Sequence, residues 1–140
     1  MSRMLAVFIF IIVVLVSHEF LMVSLIERKY PPRGEFVDVE TAKIHFLTRK
    51  KTSEIENQEN APVVFIHGSS GSSADMELAF FEALPPDIDL YAFDRPGIGW
   101  SETKLRPLEM SDPMKQAAAI HMAIKKLKLN KPIIVGHSWG

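Results

Sequence analysis

Three short apolar runs, each closed by glycine or by a polar turn, leave this chain few folds to choose from. They are "PVVFIHG" at 62–68, "IDLYAFD" at 88–94 and "KPIIVGHS" at 131–138. None alternates apolar with polar, so each predicts a strand covered on both faces, as in a parallel sheet with helices on either side. The connections fit that arrangement. "ADMELAFFEALPP" carries Met76, Ala79, Phe80, Ala83 and Leu84 at helical spacing and ends in two prolines. "SDPMKQAAAIHMAIKKLKLN" is the clearest helix. Asp112 is placed to cap it, Pro113 suits its first position, and Met114, Ala117, Ile120, Ile124 and Leu127 form one apolar face. Lys125, Lys126 and Lys128 sit near its C-terminus, where the helix dipole favours cations.

Upstream, "EFVDVE" (35–40) and "KIHFLT" (43–48) alternate apolar with polar. They predict a hairpin with Thr41-Ala42 between the strands. The turn lacks the Asn-Gly or Asp-Gly of the tightest hairpins. "RKKTSEIENQEN" (49–60) reads as a solvated loop. The order is thus β, β, β, α, β, α, β, an α/β fold in which a hairpin feeds an alternating sheet.

The first 30 residues follow a different rule. Met4–Ile26 is almost wholly apolar, broken only by Ser17-His18-Glu19. As one helix it spans about 35 Å, enough to cross a hydrocarbon core of about 30 Å. Glu19 near the bilayer centre costs roughly 2.5–3.5 kcal/mol, which the surrounding Ile, Val, Leu and Phe offset. Residues 1–30 therefore predict a membrane anchor contacting the bilayer through residues 4–26, with residues 31–140 as the second domain. A secretory signal cleaved near Ser17 and exported is the alternative, although no A-x-A site is present. A misassigned start codon is another. Arg28, Lys29 and Arg33 follow the segment and Arg3 precedes it, which leans toward a cytoplasmic second domain. "YPPRG" reads as an extended spacer.

Composition excludes several function classes. Sixteen Lys+Arg against 17 Asp+Glu give a net charge of −1, and no basic stripe points to nucleic acid. The chain has no cysteine, so disulfides and Cys-based zinc sites are out. Its five histidines lack metal-ligand spacing, and neither a metal nor a cofactor is expected.

The residues suited to chemistry lie at strand ends, where functional groups of such sheets gather. "GHSWG" (136–140) fits G-x-S-x-G: glycines two before and two after Ser138 permit a sharp turn that lifts a nucleophilic hydroxyl clear of the sheet. "HGSSGSS" (67–73) lacks the lysine of a phosphate loop, and a bare linker has no place between a buried strand and a helix. It reads instead as a turn whose Ser69 N–H faces a developing oxyanion, with Trp139 N–H as the second donor. His67 is expected to shape that loop rather than act as base. In "DRPGIGWS" (94–101), Asp94 and Arg95 are positioned to pair and Ser101 to brace the turn. Arg95 and Trp100 are candidate substrate contacts at the pocket rim, while His45 and His121 read as structural.

"EFVDVETAKIHF", "VVFIHGSSG", "LYAFDRPGIGWS" and "IIVGHSWG", in that order and spacing, resemble the α/β-hydrolase family over nearly all of residues 35–140. The resemblance is to its serine branch, some members of which carry an N-terminal membrane segment. It implies Ser138 as nucleophile, Ser69 and Trp139 N–H groups as the oxyanion hole, and a small-molecule acyl substrate. Serine at 138 argues against dehalogenases and epoxide hydrolases, which use aspartate there; Ser70 also stands where epoxide hydrolases tend to have proline. In this fold the triad acid and base follow the nucleophile along the chain. The resemblance therefore implies that acid and base are absent from these 140 residues, which match the N-terminal half of such an enzyme. The chain is accordingly expected to be incomplete and inactive alone, with a non-catalytic remnant or binding protein as the alternative. An exposed apolar edge at 133–135 is a further expectation.

Overall fold

A computed structural model describes residues 3–52 and 60–140 of the chain. Residues 53–59, within the stretch read from sequence as a solvated loop, lie outside the described residues. The chain divides into two compact units, Met1–Arg33 and Gly34–Gly140. The first holds one helix, α1 (Arg3–Lys29), of 27 residues, none of them buried. Its mean hydropathy reaches 2.6, so it is long and apolar enough to cross a membrane, a test that a signal sequence also passes.

The second unit is built on a mixed sheet. Its elements are β1 (Glu35–Val39), β2 (Ala42–Arg49), β3 (Val63–Ile66), α2 (Ser73–Met76), a π-helical turn (Glu77–Phe81), β4 (Leu90–Phe93), β5 (Glu102–Thr103), α3 (Pro107–Met110), α4 (Pro113–Lys126) and β6 (Ile133–Gly136). The strand order is β1-β2-β4-β3-β6, with β5 paired to the start of β2. β2 pairs antiparallel with both β1 and β4, whereas β3 is parallel to both β4 and β6. The apolar runs therefore form the parallel part of the sheet.

Alternation along each strand sends side chains to two cores. Ile44, Phe46, Val64, Tyr91 and Phe93 face α4 through Ala119, Ile120 and Ala123. Leu47, Val63, Phe65, Leu90 and Ala92 pack with Met76 and Phe81 of the α2–π segment. A sheet covered on both faces is the physical reason the runs read as uninterrupted apolar stretches. At the other end of the strand order the cover stops: Ile133 is 55% and Ile134 49% exposed on the edge strand β6.

Several local expectations need correction. The hairpin turn is Glu40-Thr41, not Thr41-Ala42, because Val39 pairs with Ala42. The two-residue strand β5 follows directly on the turn read at 94–101, in residues to which the sequence assigned no element. In the α2–π segment the buried aromatic is Phe81, not Phe80, since i→i+5 bonding puts Met76 and Phe81 on one side. Arg49 closes this helix by donating to the carbonyls of Phe81, Leu84 and Pro85. On α4 the buried stripe is Gln116, Ala119, Ile120 and Ala123, and Met114 is 76% exposed. Ile120 of the expected face is buried and Ile124 and Leu127 pack against the same core, whereas Met114 and Ala117 turn outward and Gln116, Ala119 and Ala123 take their place. The caps are as expected: Asp112 accepts from Met114 N–H at 2.9 Å, with Pro113 next.

Candidate active site

Parallel neighbours end on the same side, so the loops after β3, β4 and β6 meet. Ser138 stands on the turn after β6 with φ +56°, the left-handed region that a side chain occupies at a cost of about 1–3 kcal/mol. The surrounding bonds over-determine that conformation. His137 N–H donates to Ile66 O at 3.0 Å, and Gly140 N–H donates to His137 O at 2.9 Å. The flanking glycines are required by contact. A β-carbon on Gly136 would run into the Gly140 carbonyl, and one on Gly140 into the carbonyls of Ile66 and His67. Glycine at both sites lets the turn fold back on β3.

The loop after β3 meets this turn. A β-carbon on Gly68 would lie 3.1 Å from Ser138 Cβ and 3.2 Å from His137 Nδ1. Ser69, Ser70, Gly71, Asp75, Met76, His137 and Ser138 line, with Gly68, a cleft of about 350 Å³. Ser138 and Ser69 are both exposed there. Trp139 borders a neighbouring cleft of about 280 Å³ with Arg95, Met114 and Gln116. Neither Arg95 nor Trp100 lines the cleft that holds Ser138.

His67 is fully buried at the end of β3. Its Nε2 accepts the backbone N–H of Arg95 at 3.1 Å, which leaves Nδ1 to donate to Gly68 O at 2.7 Å. Both ring nitrogens are thus committed to the framework. Burial, the largest influence, lowers its pKa below the ordinary 6.5. Arg95 is only 5% exposed. It does not pair with Asp94: Nη2 donates to Gly68 O at 2.9 Å, Nη1 donates to Gln116 Oε1 at 3.1 Å, and its plane lies 4.7 Å from the Trp139 ring centre.

Asp94 is instead the centre of a buried node that sequence reasoning missed. Its Oδ2 is 2.8 Å from His45 Nδ1 and 3.1 Å from the donating Trp100 N–H, and its Oδ1 accepts from Ser73 N–H at 2.6 Å. Ser101 braces the turn as expected, its hydroxyl donating to Asp94 O and accepting from His45 N–H, each at 2.8 Å. Burial opposes ionisation of Asp94, but the bonds from His45, Ser73 and Trp100 outweigh it and hold the carboxyl below its ordinary range. The node ties β2, β4 and the start of α2 together beneath the loop. A signal existed: with Phe46 opposite Phe93, residue 45 must face residue 94.

Among the described residues, no group of three or more His, Asp or Glu side chains is placed to hold a metal. The assembled features are a hydroxyl on a strained turn, the adjacent loop 68–71, and a cleft between them. Such a set can bring a nucleophile and two N–H donors to one carbonyl.

A protein-family model described as alpha/beta hydrolase fold matches residues 61–140, more than half of the chain. The chain is 32% identical over 110 residues to a proline iminopeptidase of Heyndrickxia coagulans, covering 75% of this chain and 34% of that protein. It is 29% identical over 100 residues to a poly(3-hydroxyalkanoate) depolymerase of Ectopseudomonas oleovorans, covering 64% and 34%. Among solved structures, an esterase from Exiguobacterium antarcticum superposes with a TM-score of 0.60 at 24% identity, over 77% of this chain and 37% of that one. The last likeness concerns the fold. The chain spans about a third of the length of the curated relatives it matches.

Proposed function

The chain belongs to the alpha/beta hydrolase family, and from that premise we propose that it acts on ester-like acyl bonds of a small molecule with Ser138 as nucleophile. Ser138 Oγ attacks the acyl carbon while a base takes its proton. The N–H groups of Ser69 and Trp139 hold the oxyanion; its collapse expels the alcohol, and water then releases the acid. The observation that carries this reading is Ser138 on a positive-φ turn, sharing a cleft with Ser69. Trp100 is kept as a candidate for the outer wall of the substrate site. Arg95 takes a supporting part. The reading calls for no metal or cofactor.

In this proposal the triad acid and base are not among these 140 residues. Among the described residues no hydrogen bond joins Ser138 to a histidine, and His67 is spent on Arg95 and Gly68. The 140-residue chain alone is therefore proposed to react slowly or not at all. The same observation is what favours the second reading, a non-catalytic protein on this fold. We further propose that α1 anchors the domain as a single membrane pass, with cleavage as an exported signal the alternative.

A fluorophosphonate probe tests the central step. The proposal expects slow labelling of the 140-residue chain, mapped by mass spectrometry to Ser138, lost in Ser138→Ala and faster in a version extended with a family C-terminal half. Labelling that persists in Ser138→Ala refutes the nucleophile; equal rates in the short and extended proteins place a base inside these residues. Absence of labelling in both proteins favours the non-catalytic reading.

A further inference from the structure

We propose that Arg95 is a positioning residue that aims both amide donors opposite Ser138, an inference that rests on the oxyanion reading proposed above. The carbonyl of Gly68 and the N–H of Ser69 belong to one planar trans peptide, so they point in opposite directions. Whatever holds the carbonyl therefore aims the N–H. Three donors reach it: Arg95 Nη2 at 2.9 Å, His67 Nδ1 at 2.7 Å and, at a longer 3.4 Å, the Gly71 backbone N–H, so the two shortest bonds are the side-chain ones. The imidazole is itself oriented by Arg95, whose backbone N–H donates to Nε2 at 3.1 Å. Arg95 thus acts on this peptide twice, through its guanidinium and through its main chain.

The same guanidinium reaches the other donor. It lies 4.7 Å from the centre of the Trp139 ring, a cation–π contact that restrains the residue immediately after Ser138. Gln116 on α4 fixes the fork from behind, accepting from Nη1 at 3.1 Å while its own amide donates to Met110 O. A planar fork with several donors can serve a carbonyl, an amide and a ring face together. An ammonium on a flexible stem offers neither the plane nor the fixed spacing. Arg95 is 5% exposed, and its hydrogen bonds run to the framework.

The test uses the full ¹⁵N-labelled chain in detergent micelles as wild type, Arg95→Met and Arg95→Lys. The readouts are the Ser69 and Trp139 amide resonances and the rate of Ser138 phosphonylation. Both variants are expected to shift or broaden those two resonances while Val64 and Ala119 stay in place. At saturating probe, phosphonylation should slow by about tenfold or more, because misaimed donors are lost to the transition state. The half-saturating probe concentration should stay within about twofold, the pattern of a transition-state effect. Lysine should not rescue either readout, whereas a role confined to charge or folding would let it do so. If Arg95→Met does not fold, Gln116→Met, which releases Nη1 of Arg95 together with the Met110 carbonyl but leaves the Nη2 bond to Gly68 O, should give the same changes at smaller amplitude. Unchanged Ser69 and Trp139 resonances in a folded variant overturn the proposal. Responsive resonances in a wild-type chain that never labels leave the positioning role standing; only failure of the extended protein to label as well would refute the nucleophile reading.

Discussion

His67 is held neutral by its surroundings, and that has a pH consequence. Burial lowers its folded pKa beneath the 6.5 of the unfolded chain. Between those two values the unfolded state binds more protons. Stability from His67 is therefore fully present above pH 6.5 and lost as pH falls below it, at up to about 1.4 kcal/mol per pH unit. Urea melts of wild type and His67→Gln should differ by a constant amount above pH 6.5 and converge below it. A difference that is flat down to pH 5 contradicts the neutral, fully committed ring. At this scale the turn around Ser138 was legible, because its two glycines are local requirements. The His45–Asp94 pair was not: its members are 49 positions apart and meet only through strand register.

The segment after β3 shows what an element adds to its residues. Helical spacing marked Phe80 as the buried ring, yet the π turn buries Phe81 to 4% exposure and leaves Phe80 at 36%, stacked on Phe65 at 4.9 Å. Phe81→Ala should accordingly cost about 3–5 kcal/mol in chemical denaturation. Phe80→Ala should cost closer to about 1 kcal/mol, the worth of a partly exposed aromatic contact. The reverse order would mean that the helix keeps ordinary α spacing. Strands β3 and β4 were readable because burial on both faces leaves an unbroken apolar signature; β6 carries the same signature although Ile133 and Ile134 are exposed. The π turn and the alanine stripe of α4 were hidden, since both depend on how closely a helix settles on a sheet already formed. The shift of the hairpin turn to Glu40-Thr41 has a similar origin, as Ala42 is claimed by Val39 and by Thr103 of β5.

For the whole molecule, the two units are patterned differently. The helix of Met1–Arg33 has no buried residues, whereas Gly34–Gly140 carries two cores on opposite faces of one sheet. The proposed anchor predicts that the protein, made in cells, resists carbonate extraction and floats with vesicles at an intact mass of 15.8 kDa. A soluble product whose N-terminus begins beyond Ser17 would establish a cleaved signal instead. The α/β order of the second unit was evident from pattern alone, because each apolar run needs two covering layers. The proposed catalytic arrangement was not, because it rests on distances between Ser138, Ser69 and Trp139 that no local pattern encodes. Those distances can be read directly in a crystal structure of the Ser138 phosphonyl adduct. The account predicts the phosphoryl oxygen about 2.7–3.1 Å from both the Ser69 and Trp139 nitrogens; an oxygen turned to solvent, with neither amide in reach, would contradict it.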